Sequence, residues 1–216
     1  MKKALVFGAT GLIGKELINQ LIQDNNFSEI IVLARRKPEQ NSEKIKFFQT
    51  DFSVDSLNLL EINPDVIFSC FGTTMKKAGS KENFTAIDYQ IPLNVANRFE
   101  NETAQWVLVS SIGANADSTN FYLSTKGKLE NELLKLKFQK LFILRPSFLL
   151  GKREEFRLGE KIGILFIKVL GLLLIGPLKK YKGIYDRQLA KAMRLMINND
   201  LKSGIYESDQ LQKLGQ

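Results

Sequence analysis

The stretch KALVFGATGLIG, Lys3 to Gly14, decides the fold. Lys3–Phe7 has the composition of a short buried strand. Gly8, Gly11 and Gly14 follow at three-residue spacing, and Leu12, Ile13, Leu17, Ile18, Leu21 and Ile22 then form an apolar stripe at helical period. A strand, a glycine turn and a helix in this order make a phosphate site. Gly8 permits a turn that a side chain would block, Gly11 lets the backbone approach a pyrophosphate, and Gly14 lets the helix sit close to the strand. The unpaired N–H groups of the helix start then face the anion. Any tight strand-to-helix turn uses glycine, so the flanking strand and helix give the pattern its meaning.

Outside this stretch, composition narrows the chemistry. A chain of 216 residues suits one domain with a sizeable core. The single cysteine, Cys70, excludes an internal disulfide and argues against a cysteine metal site. No histidine is present, which removes a Ser-His-Asp triad, a histidine base and a histidine zinc site. Acid–base work then falls to Tyr, Lys, Asp, Glu or Ser, and no metal site is expected. The formal charge of +8 serves solubility or draws in an anionic ligand. The lysines are spread along the chain without a nucleic-acid-binding signature, so no nucleic-acid partner is expected. Met1 runs directly into the first strand with no charged-then-apolar leader, and the expected location is the cytoplasm.

Ile30–Ala34 is a second apolar run and ends in Arg35-Arg36-Lys37. In a dinucleotide-binding unit this strand end meets the adenosine ribose, where NAD enzymes usually place a carboxylate. Two arginines there favour the extra 2′-phosphate of NADP; the alternative is a basic turn before Pro38. Ile45–Gln49 reads as a third strand. Asp51 beyond it either accepts from an adenine amino group or caps the next helix, in competition with Ser53 and Asp55. Asp65–Thr74 is a fourth strand with its exit loop, ending on Ser69, Cys70 and Gly72, small residues that let a flat ligand pass. Cys70 reads as a packed thiol, with no base beside it in sequence. Ser80–Asn101 has a helical stripe interrupted by Pro92, which should kink or restart the helix. Trp106–Val109 is a fifth strand, ending at Ser110-Ser111.

Tyr122 and Lys126 follow, four residues apart and so on one helical face. An ammonium beside a tyrosine favours the phenolate, and such a tyrosine can pass a proton to or from a carbonyl or hydroxyl oxygen. A serine at the adjacent strand end could hydrogen-bond the same oxygen. Together with the glycine turn, this arrangement resembles the atypical short-chain dehydrogenase/reductases. The match is carried by Gly8–Gly14, Arg35-Arg36, Cys70–Thr74, Val109–Ser111, Tyr122 with Lys126, and Arg145-Pro-Ser147. More narrowly, Phe71–Thr74, Lys77–Gly79, Asn120–Leu123 and Arg145–Leu150 resemble the oxidoreductase subgroup of the Tat-interacting protein.

The resemblance covers essentially the whole chain and implies a doubly wound, mostly parallel α/β Rossmann fold. It implies a single domain over 1–216, with a cofactor core over about 1–150 and a mainly substrate or lid region over about 151–216. It implies NADP(H), with NAD(H) as the other candidate, held by Gly8, Thr10, Gly11, Leu12, Ile13 and Gly14, by Arg35 and Arg36, by Asp51 and Phe52, by Cys70, Phe71 and Gly72, by Tyr122 and Lys126, by Pro146 and Leu149, and by Arg157. It implies Tyr122 as proton donor or acceptor, Lys126 as its partner, and Ser111, with Ser110 close behind, as the group that orients substrate. The expected activity is hydride exchange with a small carbonyl or alcohol; the alternative is an NADP(H)-binding regulator or assembly factor that turns over little. Sugar-nucleotide modification is a third, weaker reading for so short a chain. Ile162–Leu178 is the most apolar stretch and is shorter than a membrane span. It serves as a lid over substrate, a homodimer or partner interface, or, with Lys179, Lys180 and Lys182, a peripheral membrane contact. Asp186–Asn199 reads as an amphipathic helix capped by Asp186, and Gly204–Tyr206 as a final short strand.

Overall fold

A computed structural model describes residues 1–151 and 176–216. Strand β1 (Lys2–Phe7), helix α1 (Leu12–Ile22) and strand β2 (Phe27–Ala34) form the first βαβ unit. Strand β3 (Ile45–Gln49), helix α2 (Val54–Asn58) and strand β4 (Val66–Ser69) follow. Short helices α3 (Met75–Ala78) and α4 (Lys81–Thr85) lead through a π turn (Ala86–Gln90) into α5 (Ile91–Arg98). Strand β5 (Gln105–Val109), helix α6 (Phe121–Leu133), strand β6 (Lys140–Arg145) and the two-residue β7 (Leu149–Leu150) complete the first described segment. Residues Gly176–Tyr181 form a 3₁₀ turn, followed by β8 (Ile184–Tyr185), α7 (Asp186–Asn198), β9 (Gly204–Glu207) and α8 (Ser208–Leu214).

Among the described residues, seven strands make one sheet in the order β3-β2-β1-β4-β5-β6-β9, every pair parallel; β7 and β8 pair separately. This is the doubly wound order expected of the fold, with a switch point between β1 and β4. Strands of such a sheet are buried on both faces, which is why β1 and β2 read as continuous apolar runs rather than alternating ones. Ala4, Val6, Ile30, Val32, Val66 and Phe68 face one core, shared with Leu17 and Ile18 of α1 and Leu189 and Met193 of α7. Leu5, Phe7, Ile31, Leu33, Ile67 and Trp106 face the other, shared with Val95 and Phe99 on the α5 side and Leu129 and Leu133 of α6.

The amphipathic helix expected over 186–199 and the final strand expected over 204–206 are present: residues 186–198 cover one sheet face and residues 204–207 add its seventh strand. One feature departs from the reading of the sequence. Asp186 is the first residue of α7 rather than its cap; the cap position is Tyr185, whose N–H donates to Gln188 Oε1 at 3.3 Å. The restart expected at Pro92 is present. The Ile91 N–H reaches back to the Ala86 carbonyl, and Pro92 lies in the first turn of α5. Proline lacks an N–H and its ring crowds the carbonyl four residues back, and one widened turn accommodates both.

Candidate active site

The parallel sheet points its strand ends, and with them the glycine turn, to one edge. Gly8 has a φ of 77°, and a Cβ there would lie 2.4 Å from the Cys70 carbonyl carbon; one on Gly14 would lie 2.2 Å from the Gly8 carbonyl oxygen. These contacts clamp α1 onto β1 and β1 onto the β4 exit. Gly11 is the cap residue of α1 and has no side chain to satisfy the helix N–H groups, which stay available to an anion. Thr10 and Gly11 are exposed, Leu12 is half-buried, and Ile13 is buried in the core. A cleft of about 330 Å³ opens beside the turn, lined by Thr10, Lys15, Arg36 and Lys37, among others. Arg35 and Arg36 are both exposed, and Arg36 lines the cleft. Lys15 pairs across it with Glu39 at 3.1 Å.

Ser53, not Asp51, caps α2, its Oγ accepting from the Ser56 N–H at 3.2 Å. Asp51 stays exposed and accepts from the Ser53 N–H at 2.9 Å, which leads the contacts that hold its carboxyl down at about 2. Phe52 has a φ of 67° and is buried, its ring 5.1 Å from Phe71 and 6.4 Å from Phe7. A bulky residue in left-handed conformation is held by its surroundings; here the Phe52 carbonyl accepts from Asn94 Nδ2 and its N–H donates to Thr50 Oγ1. Burial pushes the Cys70 thiol up to about 12, so it packs as a neutral thiol.

Tyr122 and Lys126 lie in α6, started by Asn120, whose side chain accepts from the Leu123 N–H at 3.2 Å. The Tyr122 ring packs on Phe84 at 5.5 Å. Lys126 is 3% exposed and pairs at 2.7 Å with Asp88, which is fully buried in the π turn. The second Asp88 oxygen accepts from the Thr73 N–H at 2.8 Å. Gly72 stands over this pair, its Cβ position 3.6 Å from Asp88 Oδ1 and 3.7 Å from Lys126 Nζ. Burial works against the Lys126 ammonium, but Asp88, and after it Tyr122 and Glu130, outweigh burial and hold the lysine above its ordinary value. The sequence reading missed Asp88. Its only signal was a carboxylate inside an otherwise apolar helical stripe just ahead of Pro92.

The two serines part company. Ser110 is buried and donates to Glu130, which also receives Arg145 Nε at 3.2 Å; that bond leads the contacts raising the Arg145 guanidinium further above its usual range. Among the described residues the Ser111 hydroxyl makes only a long contact, 3.4 Å to the Ile112 carbonyl, and the residue is half-exposed. Pro146 is buried, its carbonyl accepting from the Ile112 N–H at 3.0 Å, and Leu149 is half-buried against the core. Arg157 and residues 162–175 of the apolar stretch lie outside the described residues. Among the described residues no helix is long and apolar enough to cross a membrane.

Comparison with known proteins agrees with this architecture. The chain is similar to the UDP-glucose 4-epimerase of Thermus thermophilus solved with NAD, at a TM-score of 0.71 and 18% identity, over 98% of this chain and 81% of that one. It is also similar to the human epimerase family protein SDR39U1 solved with NADPH, at 0.62 and 15%, over 94% and 72%. At these identities the likeness is one of fold, a mostly parallel Rossmann-like α/β sheet. Among curated relatives, the mitochondrial protein FMP52 of Candida albicans is 41% identical over 156 residues, 69% of this chain and 68% of its own. The mitochondrial protein FMP52 of Meyerozyma guilliermondii is 35% identical over 205 residues, 93% of this chain and 88% of its own. These relatives are named as mitochondrial, which overturns the expectation of a cytoplasmic protein. That expectation was drawn from the first residues of the sequence alone, which carry no positive address. The HIM1 family model matches residues 22–165, well over half of the sequence, and the chain belongs to the HIM1 family.

Proposed function

We propose that this chain binds a nicotinamide dinucleotide, NADP(H) in preference to NAD(H), and exchanges hydride with a carbonyl or alcohol, at the mitochondrion as the names of its relatives suggest. The observation that carries the reading is one strip of backbone. Gly8 abuts Cys70 and Phe71, and two residues on Gly72 abuts Lys126 and Asp88. The phosphate-binding turn and the Tyr122–Lys126 helix therefore flank the same strand exit.

The residues present fit such a cofactor. The glycine turn and the start of α1 would take the pyrophosphate. Arg36, with Arg35 and Lys15 beside it, would take a ribose 2′-phosphate as charge-assisted bonds. Gly72 leaves space next to the Lys126 ammonium, which would take ribose hydroxyls. The chemistry a bound nicotinamide supplies is hydride transfer. Tyr122 would give its phenolic proton to the oxygen of the reduced carbonyl, or accept one from an alcohol in the reverse direction. Ser111, whose hydroxyl makes one long contact among the described residues, would hold that oxygen; Ser110 is committed to Glu130.

A second reading, a dinucleotide-binding regulator with little turnover, is favoured by one observation: Lys126 is 3% exposed and already paired. The test is titration of the purified protein with NADPH and NADH, followed by a screen of small aldehydes and ketones with the dinucleotide that binds. Tight NADPH and weak NADH binding with carbonyl reduction supports the oxidoreductase. Binding without reduction favours the regulator. Binding of neither sinks both.

A further inference from the structure

The buried acid of the π turn is the group for which the proposed chemistry has no role. Asp88 is fully buried, as a carboxylate seldom is unless it is paired. Its two oxygens go to different parts of the site. One pairs with Lys126 Nζ at 2.7 Å, the other accepts from the Thr73 N–H at 2.8 Å. Among the described residues, the groups that face Lys126 are Asp88 from the π turn, Tyr122 and Glu130 from its own helix, and the uncharged backbone of Gly72 from the β4 exit. Glu130 is already engaged by Ser110 and Arg145. Asp88 is thus the carboxylate left to balance the lysine.

We propose that Asp88 is a positioning residue: it keeps Lys126 an ammonium in a buried place and ties that ammonium, through Thr73, to the loop that flanks the dinucleotide. The inference rests on the proposed dinucleotide site. Its physical basis is that burial strips water from an ammonium, and a lysine so placed loses its proton unless a carboxylate compensates. The π turn has a part in this. The wide turn ahead of Pro92 is the stretch of backbone that carries Asp88 to the lysine. Because the folded lysine sits above its ordinary value, the stabilisation from the pair is complete below the unfolded value and fades as pH rises through the folded one.

The test uses the whole chain with lysine labelled at Cε, the Lys126 signal being assigned by its loss in Lys126→Met. In the wild type that signal stays in the charged position to alkaline pH. In Asp88→Asn, which keeps the shape and the acceptor for Thr73 but removes the charge, Lys126 gives up its proton at lower pH and NADPH binding weakens about tenfold, the order expected for losing a hydrogen bond to a charged group. Asp88→Asn melts below the wild type, and the Asp88→Asn, Lys126→Met double variant melts above Asp88→Asn, because the unpaired buried ammonium is gone. The double variant also serves if the single one folds poorly. An unmoved Lys126 titration, an unchanged NADPH affinity in folded Asp88→Asn, or a double variant no more stable than the single one overturns the inference. A wild type that binds no dinucleotide defeats the proposed function instead, and the lysine titration then decides on Asp88 by itself.

Discussion

Around the glycine turn, Gly8 and Gly14 leave no room for a Cβ, and the side chains leading into it, Ala4 to Phe7, are apolar and fully buried. Around α6, the buried residues include Asp88, Ser110, Lys126 and Glu130. The first region is shaped by backbone contact, the second by buried charge. Backbone contact is decided by single residues, each of which must be glycine. Buried charge is decided by pairs, and removing one partner leaves the other desolvated and unmatched. The proposed cofactor spans both regions, its phosphates on the side built from backbone and its reacting end on the side built from charge.

The largest effect expected is on the backbone side. Gly14→Ala places a methyl 2.2 Å from the Gly8 carbonyl oxygen, so α1 must move off β1. A loss of about 4 kcal/mol or more, or failure to fold, is expected in urea denaturation. A loss below about 1 kcal/mol would mean that the turn has slack, and the contrast between the regions would fail. On the charged side, Tyr122→Phe should cost about 10²- to 10⁴-fold in turnover. NADPH affinity should be nearly unchanged, because the ring keeps its packing on Phe84. A variant that still reduces a carbonyl at the normal rate ends the role given to Tyr122.

Glu130→Gln takes from Arg145 its nearer carboxylate, leaving it only Glu207 at 3.7 Å among the described residues, and weakens the bond from Ser110. About 2 kcal/mol is expected, below the full cost of a broken buried pair because the Arg145 side chain is 20% exposed. Arg145→Met in the same chain should recover part of the loss, and additivity of the two changes would show that they do not act together. The smallest effect falls at the rim of the glycine side. Arg35→Ala with Arg36→Ala should weaken NADPH by about tenfold or somewhat more and leave NADH nearly unchanged. Equal loss for both would remove the 2′-phosphate argument and make Arg36 a wall of the cleft only.

What the sequence determined by itself was the apolar pattern and the glycine spacing. Continuous runs such as Ala4–Phe7 and Ile30–Ala34, each followed by a turn, require a parallel sheet covered on both faces, and the strand ends bring Gly8, Gly72 and the α6 start to one edge. Local rules sufficed because each such residue acts on its immediate neighbours. Tertiary structure alone decided what depends on partners distant in the chain. It chose Ser53 over Asp51 as the cap of α2, separated Ser110 from Ser111 through Glu130, and set β9 beside β6. It also buried Asp88 against Lys126. A carboxylate in a helical stripe looks the same in sequence whether it faces water or an ammonium. Only folding, which removes the water and supplies the counter-charge, distinguishes the two.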